Sequence, residues 1–156
     1  MLKFRDTLLN GILGVGGQRV LNTASPLSEV SDLDLTRKIG ESILRIKKSA
    51  LVTDKGVDYL ALKSSLPYRE FVEKTSPSLR TFDLNTLSTQ GERLAFWVNL
   101  YNLLMIDAVN QLGVKNSVTE GWLGAMRFFR RAAYGIDGQR YCLEAVSYTH
   151  LRAHET

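Results

Sequence analysis

The chemistry-bearing residues of this chain gather in one stretch, ERLAFWVNLYNLLMIDAVNQLG, residues 92–113. It reads as a helix that is apolar nearly all round. Yet Asn99 and Asn102 stand three residues apart in its middle, among Phe96, Trp97, Leu100, Tyr101 and Leu103. Amides at that spacing can serve in either of two ways. With Glu92 and Tyr101 they can line a pocket and orient a substrate or the imidazole of a histidine. Alternatively, they can hydrogen-bond the backbone of an irregular segment laid across the helix. A buried amide without a partner costs about 1–3 kcal/mol, so both roles demand one. From the residues alone the structural role leads. A second group, Arg127, Arg130 and Arg131 beside Phe128 and Phe129, has the composition of an anion or membrane-surface contact. A solvated basic face is the plainer reading.

Both histidines, His150 and His154, lie in the final string VSYTHLRAHET. That string is one reading frame of an adapter used in transposase-based sequencing, of the kind carried into genes predicted from environmental reads. Residues 145–156 therefore read as a non-native, adapter-derived tail, set aside from functional reasoning as an expression scar would be. The consequence is sharp. Residues 1–144 hold no histidine and one cysteine, Cys142. They cannot form a Cys–His pair, a Ser–His–Asp triad or a His/Cys zinc site. No metal and no cofactor is expected. A glycine cluster, Gly11, Gly14, Gly16 and Gly17, lacks the Lys-Ser/Thr of a phosphate loop and the preceding strand of a dinucleotide site.

The elements that would position these residues follow from periodicity. Leu35, Ile39, Ile43, Ile46 and Ala50 recur at helical spacing behind an N-cap at Ser31 or Asp32, with Lys47 and Lys48 near the C-terminal end. VDYLALKSS predicts a short helix. Ser65 and Pro67 open another, with Tyr68, Phe71 and Val72 on its apolar side. FDLNTLS is a connector turning Phe82, Leu84 and Leu87 inward. Thr89 and Glu92 form a capping box for the central helix, and Gly113 ends it. At 1.5 Å per residue that helix is roughly 35 Å long. Beyond it, SVTEGWLGAMRFFRRAAY reads as loop and then helix. YGIDGQRYCLE alternates around Asp137-Gly138 as a β-hairpin does.

The predicted fold class is mainly α, an α+β fragment with a long buried central helix, flanking helices and a small C-terminal β-hairpin. The expected organisation is a flexible N-terminal arm over 1–30, an incomplete single globular domain over 31–144, and the tail over 145–156. The 156 residues, 44% hydrophobic and 23% charged, are those of a soluble globular protein. A net charge of +4 is too mild and too scattered to signal nucleic acid. No apolar run reaches the roughly 18 residues of a membrane span, and a single cysteine fits the cytoplasm.

ERLAFWVNLYNLL, followed by FFRRAAYGIDGQRYCLE, resembles the domain-of-unknown-function family numbered 547, and VDYLALKSSLPYREFVE is similar to its N-terminal part. The resemblance covers about 57–144. Ala95, Phe96, Trp97, Asn99, Leu100, Tyr101 and Asn102 match the helix motif, Gly138 the turn and Leu143 the segment after it. It departs at Asp107, where the family often has histidine, and at Cys142, which takes a serine-like position. The resemblance implies further histidine and cysteine segments, which this chain lacks. It also implies fusion partners of coiled-coil, glutaredoxin-like or DEP type in eukaryotes. The function it points to is a binding, scaffold or regulatory module with a protein partner. The alternative is part of a cysteine-dependent hydrolase or thiol-redox enzyme whose catalytic residues lie in a missing C-terminal half. The downstream segment is expected to cover the face of the central helix that bears Asn99 and Asn102.

Overall fold

The computed structural model describes residues 17–26, 29–49, 52–53, 56–113 and 122–155. Its elements are β1 (Arg19–Val20), α1 (Asp32–Lys48), β2 (Val52–Thr53), β3 (Gly56–Val57), α2 (Tyr59–Ser64), α3 (Leu66–Glu70), α4 (Ser76–Ser78), α5 (Gln90–Leu112), α6 (Trp122–Arg131), β4 (Ala132–Ile136), β5 (Gln139–Cys142) and α7 (Leu143–Glu155). The fold is mainly helical, with the long α5 at its centre and a small sheet beside it.

Local chemistry explains where the helices start and stop. Ser31 caps α1 by accepting from the Asp34 amide, and Leu35, Ile39, Ile43 and Ile46 are its buried stripe. Ala50, the expected last member of that stripe, lies outside the described residues. Asp58 caps α2. Between α3 and α4 the chain widens into a π turn, Phe71–Thr75, in which the Ser76 amide reaches back to the Phe71 carbonyl. Pro77 follows directly. It has no amide hydrogen, and in an unbroken α-helix its ring would collide with the Glu73 carbonyl, so the wider turn relieves that clash. Thr89 and Glu92 make the full capping box of α5, and Gly113 closes it in the left-handed region at φ 65°.

α5 is buried on most sides. Phe96, Trp97, Leu100, Leu103, Leu104, Ala108 and Val109 are all in the core. Phe82 stacks on Phe96 at 4.8 Å, and Phe96 meets the Trp97 ring edge-on at 5.3 Å. α1 packs against one side of α5 and α7 along another.

The hairpin turns at Asp137 (φ 50°) and Gly138 (φ 66°). Two positive φ values in a two-residue loop are what the right-handed strand twist favours. Two boundaries differ from the sequence reading. Ala132–Ile136 is strand, so helix α6 ends at Arg131, and Leu143 already opens α7 instead of prolonging the hairpin. The sheet also has a third strand. β1 pairs in parallel with β4, Arg19 opposite Ala132 and Val20 opposite Ala133. The arm expected over 1–30 is partly outside the described residues. Its described portion is built into the domain, with Leu21 and Asn22 buried. Asn22 acts as one more rung of the ladder. Its amide nitrogen donates to the Gly135 carbonyl at 2.9 Å and the Ser76 carbonyl at 3.0 Å, and its oxygen accepts from the Gly135 amide at 2.8 Å. A two-residue strand could not be recognised by alternation, which is why periodicity gave no sign of it. The range read as a foreign tail forms most of α7, with Val146 fully buried.

Candidate functional site

The residues singled out in the sequence do not converge. Glu92 is committed to the helix start, where its Oε2 accepts from the Thr89 amide (2.9 Å), the Ser88 amide and the Ser88 hydroxyl (both 3.0 Å). These donors, the Thr89 amide foremost, hold its carboxyl below the usual range. Asn99 is half-buried and faces α1. A Cβ added to Gly40 would stand 3.9 Å from its Nδ2, so the glycine leaves it room. Asn102 is exposed and Tyr101 half-buried. The pair of amides is thus less buried than the helix wheel implied, because their face of α5 lies at the open margin of the α1 contact. The arginine trio is divided by the amphipathicity of α6. Arg127 and Arg131 are exposed, while Arg130 is buried with its Nε 3.0 Å from Glu144 Oε2.

Tyr101 and Asn102 do share a surface feature. Together with Lys47 they edge a groove of about 320 Å³ whose apolar walls include Ile43, Ile46, Leu62, Met105 and Ile106. Among the described residues no α7 side chain lines it, and α7 packs along α5. Among the described residues, Lys47 is the one charged side chain on the groove. Burial pushes the Tyr101 phenol up, leaving it a neutral donor.

The densest polar chemistry lies elsewhere, on a residue the sequence reading marked only as a departure. Asp107 is 0% exposed. Its Oδ1 accepts from the Tyr68 hydroxyl at 2.8 Å. Its Oδ2 accepts from the Tyr134 hydroxyl at 2.8 Å and from Gln111 Nε2 at 2.7 Å. Tyr134 Oη also lies 3.1 Å from the Leu104 carbonyl. Burial raises the Asp107 carboxyl against the opposing effect of these donors. Burial first, and the facing Asp107 charge second, push both phenols well above their ordinary value. The result is a sealed knot tying α3, α5 and β4. Its signal was present in the sequence, since Asp107 falls on the Leu100–Leu104–Ala108 stripe of α5, where an acid must find donors.

Cys142 is half-buried at the end of β5, and burial raises its thiol. Among the described residues no three His, Cys, Asp or Glu side chains cluster as metal ligands. No described helix is long and apolar enough to cross a membrane.

Around this geometry lies the stretch from the Leu84 turn through α5, α6, the hairpin and α7. Residues 84–156 match the family model DUF547, described as a protein of unknown function. The DUF547 match contains the Ala95–Asn102 motif, Asp107, Tyr134 and the Asp137-Gly138 turn, and it runs on through α7. Tyr68, which completes the Asp107 knot, comes from outside it. Neither the curated proteins nor the solved structures yield a match.

Proposed function

We propose that this chain is a binding or scaffold domain, and that the groove between α1, α2 and α5 docks an apolar peptide segment of a protein partner carrying an acidic residue. The observation that carries this reading is the contrast between the two regions just described. The Asp107 carboxylate is buried with donors on both oxygens, whereas the accessible concavity is apolar and, among the described residues, has one cation, Lys47, at its edge. A groove of this size, at the lower end of ligand pockets, suits two or three side chains from one face of a helix. Lys47 near the C-terminus of α1 favours a carboxylate beside them. Asn102 and the Tyr101 hydroxyl are placed to fix orientation. The enzyme alternative, a cysteine-dependent hydrolase or thiol-redox protein, draws no support from Cys142, whose thiol is raised and so kept protonated at neutral pH.

A labelled helical peptide with leucines at i, i+3 and i+7 and a flanking glutamate provides the test. Fluorescence polarisation should show saturable binding, accompanied by a shift of the Met105 methyl resonance. Ile106→Glu should weaken it by about tenfold or more, equivalent to about 1.4 kcal/mol. Equal affinity in the Ile106→Glu variant, or no binding by either protein, would remove the groove as a docking surface.

A further inference from the structure

We propose a second binding site, unrelated to the groove, that takes the oxyanion of a small molecule, a carboxylate or phosphoryl group, between Arg80 and Arg140. The two arginines are brought together by a missing side chain. A Cβ built on Gly135 would come 3.0 Å from Arg80 Cγ and 3.7 Å from its Cδ, so the stem of Arg80 lies over the face of the hairpin that Gly135 leaves bare. Arg140 is the residue directly opposite Gly135 in the β4–β5 pairing. Directly opposed residues of an antiparallel pair project to the same face. Both guanidinium groups therefore rise from one side of the sheet, and both line one hollow of about 460 Å³ with Ser25, Thr81 and Gln139.

Arg80 is also held in place. Its Nη1 donates to the Thr23 carbonyl at 3.2 Å and the Ala24 carbonyl at 3.4 Å. The Gly138 amide bonds the Arg80 carbonyl and the Asp137 amide that of Leu79, so the hairpin turn is tied to the segment that carries Arg80. These carbonyls anchor one nitrogen of the guanidinium without neutralising its charge. Among the described residues no carboxylate lines the hollow. Two acids stand near it: Asp137, in the turn beside Gly138, and Glu29, in an adjoining hollow that shares Pro26 and Thr81. Two guanidiniums side by side repel unless an anion lies between them, and a planar or tetrahedral oxyanion satisfies both through paired hydrogen bonds. Ser25 and the Gln139 amide supply neutral donors of the kind that complete such a cradle, while the Thr81 hydroxyl donates to the Ser78 carbonyl. The volume leaves room for an organic body beyond the anionic group.

The test uses the full chain, with inorganic phosphate and phenyl phosphate as probes at constant ionic strength, so that screening is held fixed. Calorimetric titration and thermal melts should both report saturable binding. Arg140→Gln removes an exposed side chain and should weaken binding by about tenfold or more. Arg80→Met keeps the stem over Gly135 and should do the same. Arg69→Gln, on α3 and away from the hollow, should leave binding unchanged. If Arg80→Met fails to fold, Arg140→Gln and the Arg69→Gln control decide alone. Non-saturable stabilisation, or equal affinity in Arg140→Gln and Arg69→Gln, overturns the proposal.

Discussion

Asp107 is the residue on which most depends. Its folded carboxyl is raised above the ordinary value of 3.8. Neutral Asp107 can donate to the Tyr134 oxygen, and the Tyr134 hydrogen can then turn to the Leu104 carbonyl, so protonation costs the knot no bond. Because the folded value is the higher one, its contribution to stability is complete below about pH 3.8 and is lost as pH rises through the folded value. The stability of the protein relative to Asp107→Asn should therefore shift in favour of the native side chain on acidification from neutral towards pH 4. Urea melts across that range check this, and a shift the other way would mean the carboxyl is lowered. Tyr68→Phe should cost about 1–3 kcal/mol, because it takes one donor from a buried acceptor. Cys142 offers a separate readout. With its thiol raised by burial, iodoacetamide should modify it with a rate midpoint above that of a free cysteine, and a midpoint below would reveal an activating partner.

At the scale of elements, α5 carries the fold. Trp97 touches Phe96 and, at 5.9 Å, Tyr141 of β5, so Trp97→Ala opens a cavity between helix and sheet. The expected loss is about 3–5 kcal/mol by denaturant melts, and a loss below about 1 kcal/mol would place that face in solvent. Thr89→Ala should cost about 0.5–2 kcal/mol by removing the cap. These elements were legible because their determinants are local. The capping box, Gly113, the α1 stripe and the Asp137-Gly138 turn are each fixed by residues within a few positions of one another. What escaped the sequence is long-range. The pairing of β1 with β4, the Asn22 rung and the meeting of Tyr68 with Asp107 are set by topology, and no window of neighbouring residues contains them. The amides show a related limit of local pattern. A wheel shows which residues share a face of α5 but not how far the α1 contact extends over it, so the residues alone left a pocket role and a structural role open for Asn99 and Asn102; Asn102 lies exposed at the edge of a groove. Val146, in the range set aside as tail, is fully buried in α7.

For the molecule as a whole, α7 packs along α5, and its Val146 is fully buried. A chain ending at Glu144 removes Val146 from the core and leaves Arg130 and Glu144 at a cut edge. It should self-associate on size-exclusion chromatography and melt with less cooperativity than the 156-residue chain. A monomer with an equally sharp melt would show that α7 is dispensable. The Asn22 rung has a further consequence, one of timing. Its partner Gly135 lies 113 residues away. At about 5–20 residues per second of synthesis, Asn22 waits roughly 6–23 seconds for Gly135 to be made. During that interval α1 to α5 can collapse on one another through nearer contacts, while the backbone of 19–22 has no strand to pair with. The sheet should thus be the last part of the domain to close. In refolding followed by pulsed hydrogen exchange, the Leu21 amide, which ends on the Ala133 carbonyl at 2.9 Å, should gain protection after the amides of α5.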